Sequence, residues 1–234
     1  MEKREKLYEG KAKVVFTTDD KDLVIQYFKD DATAFNAEKK GTIVGKGVVN
    51  NKVSIALLGL LEENGIPTHL VKALDDREML VKRLEIVPIE VVMRNVVAGS
   101  LSKRTGLAEG YVLKKPVIEF YLKDDDLGDP MINESHIDVL ALTKKEHLDV
   151  IRDFGFKINT ILKEYFEKRD IILVDFKLEF GIHKDEILLG DEISPDTCRL
   201  WDKETKQKLD KDRFRRDLGN IEEAYKEVLK RVCG

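Results

Sequence analysis

Between Ile171 and Phe180 the side chains alternate with a period of two, and this alternation limits the fold more tightly than any other stretch. Val174, Phe176, Leu178 and Phe180 occupy one set of positions, and Asp175, Lys177 and Glu179 the other. Successive side chains of a β-strand point to opposite faces, so the apolar set can meet a core while two carboxylates and a lysine share the far face. The β-branched and aromatic content suits a strand. A polar turn at His183 to Glu186 separates this run from a second strand-like run, Ile187 to Glu192. Closing the two as a hairpin brings Asp191 to within about one residue of lying opposite Glu179. Adjacent carboxylates repel unless a cation or a proton lies between them. Mg²⁺ takes carboxylate oxygens, keeps several waters and usually sits beside substrate phosphates. The pattern leaves two readings open: a metal–nucleotide site at Glu179 and Asp191, or a solvated strand face with a cross-strand Lys–Glu pair.

At 234 residues the chain fits one large domain or two small ones. Hydrophobic residues make up 42% and charged residues 37%, which predicts a core beneath an unusually charged surface. A net charge of −4 argues against general nucleic-acid binding, which depends on a basic footprint. Cys198 and Cys233 lie far apart without metal-ligand spacing, which favours a reduced cytoplasmic protein over a disulfide scaffold. No run approaches the roughly 18 apolar residues of a membrane span, and MEKREKLYEG has no apolar signal region. The expectation is a soluble cytoplasmic protein without a membrane or nucleic-acid partner.

Leu7 and Val14 to Thr17 read as strand residues on either side of Tyr8 to Lys13. Gly10 permits a close turn, and Lys11 and Lys13 place cations at alternate positions; one glycine fits an ordinary hairpin as well as a phosphate loop. Further strands are expected at Leu23 to Phe28, His69 to Leu74, Glu78 to Leu84 and Ile89 to Arg94. A helix at Asn50 to Asn64 carries Val53, Ala56, Leu57, Leu60 and Leu61 on one face and ends at Gly65 and Pro67. Gly99 and Ser100 open a short helical stretch that on the residues alone reads first as a serine N-cap beside a surface arginine; its N–H groups could also meet an anion, with Arg94 as a planar fork for phosphate. Thr143 and Glu146 form a candidate capping box for the longest helix, about 143–168. Residues 123–130 form an acidic loop, 199–216 a basic stretch, and Asn220 and Glu223 start a final helix.

YEGKAK at 8–13, VVMRNVVAGSLSKR at 91–104, GDPMINESH at 128–136, LVDFKLEFG at 173–181, GDEISPDTCRLWD at 190–202 and KDRFRRDLG at 211–219 appear in an order that spans nearly the whole chain. In these segments the chain resembles the phosphoribosylaminoimidazole-succinocarboxamide synthases (SAICAR synthetases) of purine biosynthesis. The resemblance implies an α+β fold of two lobes, similar to ATP-grasp and kinase-like folds, with ATP between them. It places a small nucleotide-covering domain at 1–85 and a larger substrate- and metal-binding domain at 86–234. It implies an ATP-dependent ligase that joins L-aspartate to the carboxylate of carboxyaminoimidazole ribonucleotide (CAIR) through an acyl phosphate, acting as a homodimer.

The same resemblance assigns roles. Lys11 and Lys13 would steady the ATP phosphates, and the connection Lys82 to Ile86, Lys82 and Leu84 included, would meet the adenine. Glu179 and Asp191 would hold Mg²⁺. Arg94, Ser100, Lys211 and Arg215 would bind the ribonucleotide phosphate. Lys177 and Arg199 would orient the reacting carboxylate, Asp175 would orient Lys177 or touch the substrate, and Asp129 would lie near the aminoimidazole ring. Other readings are a small-molecule kinase, which would not need aspartate to release ADP, and a nucleotide-binding regulatory module, which would bind without turnover. The DATAFN segment at 31–36 carries no assignment.

Overall fold

The structure is a computed structural model that describes residues 2–34 and 38–234. Only the DATA part of DATAFN therefore falls on described residues. In chain order the elements are β1 (Lys6–Glu9), β2 (Lys13–Thr17), β3 (Leu23–Phe28), β4 (Asp31–Ala34), β5 (Lys39–Thr42), α1 (Lys46–Glu63), β6 (Leu70–Ala73), β7 (Glu78–Lys82), β8 (Glu85–Val96) and α2 (Gly99–Thr105). They continue as β9 (Val112–Leu122), β10 (Met131–Ile132), α3 (Glu134–Val139), α4 (Lys145–Glu167), β11 (Ile171–His183), β12 (Glu186–Gly190), β13 (Cys198–Asp202), α5 (Asp212–Arg215) and α6 (Ile221–Cys233). Two lobes result, each built on its own sheet. The first sheet runs β1-β2-β3-β7-β6; the second runs β10-β9-β8-β11-β12, with β13 beside the first half of β11. The two sheets change over at Arg83 and Leu84.

β11 is the centre of the second sheet, and its alternation sets the layers. Val174, Phe176, Leu178 and Phe180 are all buried. Phe176, Leu178 and Phe180 join Ile151, Ile158, Leu162 and Phe166 of α4 in one apolar core. Val24, Phe28, Leu57 and Met79 of the first lobe belong to the same core, so the lobes share their interior. No helix among the described residues is long and apolar enough to cross a membrane.

Two helix starts differ from the expectation. The Thr143–Glu146 capping box does not form: Lys144 is the N-cap, without a side-chain bond, and Thr143 Oγ1 is buried with no partner. The chain enters the helix one residue later, which leaves Thr143 outside the position from which its hydroxyl could accept an N2 or N3 amide. A capping box does close α3, where Asn133 Oδ1 accepts from His136 N–H and His136 Nδ1 accepts from Asn133 N–H. α1 starts at Lys46, four residues before Asn50, because the turn that opens it is polar yet buried. Lys46 lies with no side-chain exposure, 2.8 Å from Asp196 Oδ2, while Tyr225 donates its hydroxyl to Asp196 Oδ1 at 2.6 Å. This contact fastens α1, the loop after β12 and α6 together.

Removing one partner of a buried ion pair strands the other charge and costs roughly 3–5 kcal/mol. Lys211, 3.8 Å from Asp196, softens the loss. Lys46→Met should therefore lower unfolding stability by about 3 kcal/mol, the lower end of that range, in urea denaturation. An unchanged midpoint and slope would show that the pair does not hold these elements.

Candidate functional site

The charged face of β11 is flanked on both sides, and strand register decides what meets it. Asp175 lies opposite Arg94 of β8 on one side and Arg199 of β13 on the other. Arg94 donates from Nη1 to Asp175 at 2.9 Å, and Arg199 Nη1 reaches both Asp175 oxygens at 3.0 Å. The remaining donors of Arg94 reach Glu119 (2.7 Å), Ser100 Oγ (3.1 Å) and the Tyr121 hydroxyl (3.2 Å). Arg104 closes on the other oxygen of Glu119. Burial works against the charge on Arg199, but Asp175 and Asp212 outweigh it and raise its pKa. Gly99 makes this approach feasible: its φ is +54, and a Cβ there would lie 2.6 Å from Arg199 Nη2.

Two residues along β11, Lys177 donates to Glu90 Oε1 at 2.8 Å and also bonds Glu179. Lys123 reaches Glu179 at 3.0 Å from the acidic loop. Glu179 pairs in register with Gly190, which puts Asp191 one residue beyond, as the hairpin pattern anticipates. Asp191 holds an αL backbone (φ 57) and bonds Lys13 of β2. Lys13 Nζ is also 2.9 Å from Glu192, whose other oxygen accepts from Ser194 Oγ. Burial disfavours both charges of the Lys13–Asp191 pair, yet Asp191 and Glu192 raise the pKa of Lys13, while Lys13 and Lys177 lower that of Asp191. Lys177 is likewise pushed well above its ordinary value: burial opposes, and Glu179, Asp191 and Glu90 prevail.

The other expected residues lie around this centre. Arg215 bonds Asp212, whose second oxygen accepts from Arg199 Nε at 2.9 Å. Lys211 stands 3.8 Å from Asp196. Lys82 donates to the Thr68 carbonyl at 3.2 Å. Leu84 fills the space above two glycines of the β11–β12 hairpin, lying 2.7 Å from a Cβ at Gly181 and 2.8 Å from one at Gly190. Lys11 pairs with Asp125 at 2.6 Å on the surface. Asp129 is used within its own loop, accepting the Asp124 N–H. Asp175 does not orient Lys177 in this structure: it is committed to two arginines, and Glu90 and Glu179 orient the lysine instead.

Sequence reading missed Glu90, Glu119, Glu192, Lys123 and Asp212. Glu90 carries a local signal, since it shares the parity of Arg94 on an otherwise apolar strand; the others depend on which strands become neighbours. Cys198 is buried and its thiol pKa is pushed up by that burial, which suits packing better than nucleophilic chemistry.

Among the described residues no group of three or more His, Cys, Asp or Glu side chains gathers as a ready metal centre. Two carboxylates completed by substrate oxygens and waters are nevertheless the usual Mg²⁺ donor set. Glu179 and Asp191 fit that set, because their partners are lysine ammonium groups on flexible stems, which can exchange for a cation.

The SAICAR synthetase family profile matches residues 6–232. The chain is 63% identical over 234 residues to the phosphoribosylaminoimidazole-succinocarboxamide synthase of Thermoanaerobacter sp. strain X514, covering 100% of both. It superposes on the crystal structure of the corresponding enzyme from Ehrlichia chaffeensis with a TM-score of 0.95 at 51% identity, covering 97% of this chain and 98% of that one. A SAICAR synthetase in complex with ADP matches with a TM-score of 0.94 at 52% identity, over 96% of each chain.

One buried carboxyl at the edge of the site titrates in an accessible range. Asp210 accepts the Leu200 and Asp212 N–H groups, and burial, with Asp212 beside it, raises its pKa to about 7. The folded state therefore holds this proton more tightly than the unfolded one. Asp210 lowers stability as pH rises from about 4 to about 7, and the deficit then persists above that range. In melts between those pH values Asp210→Asn should fall less steeply in Tm than the parent chain; parallel curves would exclude an elevated Asp210 pKa.

Proposed function

As the chain belongs to the SAICAR synthetase family, an ATP-dependent ligase family of purine biosynthesis, we propose that it joins L-aspartate to the carboxylate of CAIR, giving SAICAR, ADP and phosphate. A carboxylate oxygen of CAIR attacks the γ-phosphorus of ATP, the bond to the β–γ bridging oxygen breaks, and ADP leaves an acyl phosphate behind. The aspartate nitrogen then attacks the acyl carbon, phosphate departs with the C–O electron pair, and the nitrogen loses a proton. Phosphoryl transfer of this kind rests on positioning and on neutralising charge.

The observation that supports this reading best is the reach of Lys13 from the first lobe to Asp191 and Glu192 of the second. A nucleotide-lobe cation lies against Asp191, one of the two carboxylates that would hold a metal, which is where the phosphates of an ATP between the lobes would pass. The proposed lobes are 1–85 and 86–234. Lys11 and Lys13 steady the phosphates, and the Lys82–Ile86 connection receives the adenine, with Leu84 as an apolar wall. Arg94, Ser100, Lys211 and Arg215 receive the ribonucleotide phosphate. Lys177 and Arg199 orient the CAIR carboxylate, and Asp175 keeps Arg199 aligned. Asp129 serves the aminoimidazole ring. Glu179 and Asp191 would hold Mg²⁺, which when bound would offset the negative charge of the nucleotide phosphates. The same reading carries a homodimer in the cytoplasm.

A coupled assay of ADP release, with CAIR and aspartate omitted in turn, tests the reaction. Sustained multiple turnover should require both; sustained ADP release without aspartate would instead make the protein a kinase, and ligand binding without any turnover a regulatory module. Glu179→Gln and Asp191→Asn should each lose most activity and need more Mg²⁺, since a charge-assisted contact is worth about 1.5–3 kcal/mol, or about ten- to a hundredfold in affinity. An unchanged Mg²⁺ dependence in both variants would withdraw the metal assignment.

A further inference from the structure

α5 carries Arg215, yet a helix of four residues without a side-chain cap does not hold itself in place. Two contacts outside it do so. On one side Phe214 enters a small apolar cluster with Ala32, Ala34 and Ile43. On the other, the preceding segment folds back on β13, where Leu209 N–H donates to the Leu200 carbonyl at 2.7 Å. Asp210, fully buried, accepts the Leu200 N–H on one oxygen and the Asp212 N–H on the other, each at 2.8 Å. Leu200 follows Arg199 in the chain, so this one carboxyl fixes the backbone beside both Arg199 and Asp212.

Asp212 in turn commits each oxygen to a different arginine. Arg199 Nε donates to Oδ2 at 2.9 Å, and Arg215 Nη1 to Oδ1 at 2.6 Å. Asp175 takes Nη1 of Arg199. Among the described residues Arg199 Nη2 makes no hydrogen bond, and it points to the start of α2, 2.6 Å from a Cβ position at Gly99 and next to Ser100. Nε and Nη2 of Arg215 likewise make none among the described residues. The Asp212 side chain is 7% exposed, whereas those of Arg199 and Arg215 keep 19% and 30%. The carboxylate is hidden behind two guanidinium groups, and the edges left open to a ligand are theirs.

Charge alone does not account for this placement. A carboxylate beside two cations weakens their attraction for an anion, so Asp212 is electrostatically unfavourable to an anionic ribonucleotide. What it supplies is geometry, because a long side chain that is already bonded loses less rotamer freedom when a ligand arrives. We propose that Asp212, fastened by Asp210, is a positioning residue for CAIR: it holds Arg199 and Arg215 at a fixed separation with their unpaired N–H edges toward the nucleotide. This arrangement sets the preference for the phosphorylated ribonucleotide over its nucleoside. The inference rests on the ligase reading above and adds two residues that act through the arginines.

Steady-state kinetics with each substrate varied in turn, and calorimetric binding of CAIR, test this on Asp212→Asn, Asp212→Glu and Asp210→Asn. Asp212→Asn keeps the side-chain size but has one acceptor oxygen, so one arginine is released. Its KM and Kd for CAIR should rise about ten- to a hundredfold, with KM values for ATP and L-aspartate within about twofold of the parent. Asp212→Glu keeps the charge but moves it by one methylene, and should not restore the parent values. Asp210→Asn, able to accept only one of the two amides, should shift CAIR in the same direction by a smaller factor. In all three, the preference for CAIR over the dephosphorylated nucleoside should narrow, a ratio that a general loss of stability leaves unchanged. Thermal melts identify a variant that does not fold, and if Asp212→Asn is one, Asp210→Asn decides. Unchanged or tighter CAIR binding in the folded variant overturns the proposal, as does restoration by Asp212→Glu or an equal loss toward all three substrates. If the parent chain releases ADP equally with and without CAIR, the ligase reading fails first and takes this role with it.

Discussion

The structure depends on the burial of Asp175 between two arginines. From Arg104 the charges alternate through Glu119, Arg94, Asp175, Arg199 and Asp212 to Arg215. Each interior member touches an opposite charge on either side, which is the condition under which buried ions are tolerated. The series passes through α2, β9, β8, β11, β13 and α5, so one electrostatic arrangement orders six elements. It also fixes the guanidinium planes before any ligand arrives, and such preorganised charges do not have to reorient during a reaction.

How much of this was legible in the sequence follows from the distance over which each feature is determined. The alternation of Asp175, Lys177 and Glu179 is local, and so is the hairpin that sets Asp191 one residue past the partner of Glu179; both could be read directly. The partners could not. Glu119 meets Arg94 because β9 pairs with β8 in one register, and no spacing within either segment encodes that. Lys46 and Asn50 are buried on a helix face that hydrophobic periodicity reads as solvent. Thr143 failed as a cap through a one-residue shift of a helix start, the scale on which local patterns give least guidance. The DATA strand gave no signal because its pairing with β5, which sets Thr33 opposite Lys40, is decided across the turn and not within the segment.

The two lobes are joined in two different ways. Their apolar residues form one continuous core, which fixes the body of the molecule, whereas Lys13, Lys11 and Leu84 cross toward the second lobe at its polar edge. Leu84 can do so because Gly181 and Gly190 leave space for it on the hairpin. The region between the lobes is thus rigid at its base and built of exchangeable side-chain contacts at its mouth, an arrangement suited to admitting a nucleotide.

Those lysine–carboxylate contacts give the mouth a further property. Lys13, Lys123 and Lys177 already neutralise Asp191, Glu192 and Glu179. A magnesium-bound polyphosphate entering there would carry its own cation to the carboxylates and its own anions to the lysines. Binding would then be an ion exchange, in which internal lysine–carboxylate pairs are traded for mixed ones with the incoming cation and anions. Affinity in such a site would depend on how well the incoming charges match the spacing of those they replace, so isolated Mg²⁺ or metal-free nucleotide, each bringing half of the exchange, would be disfavoured relative to the two together.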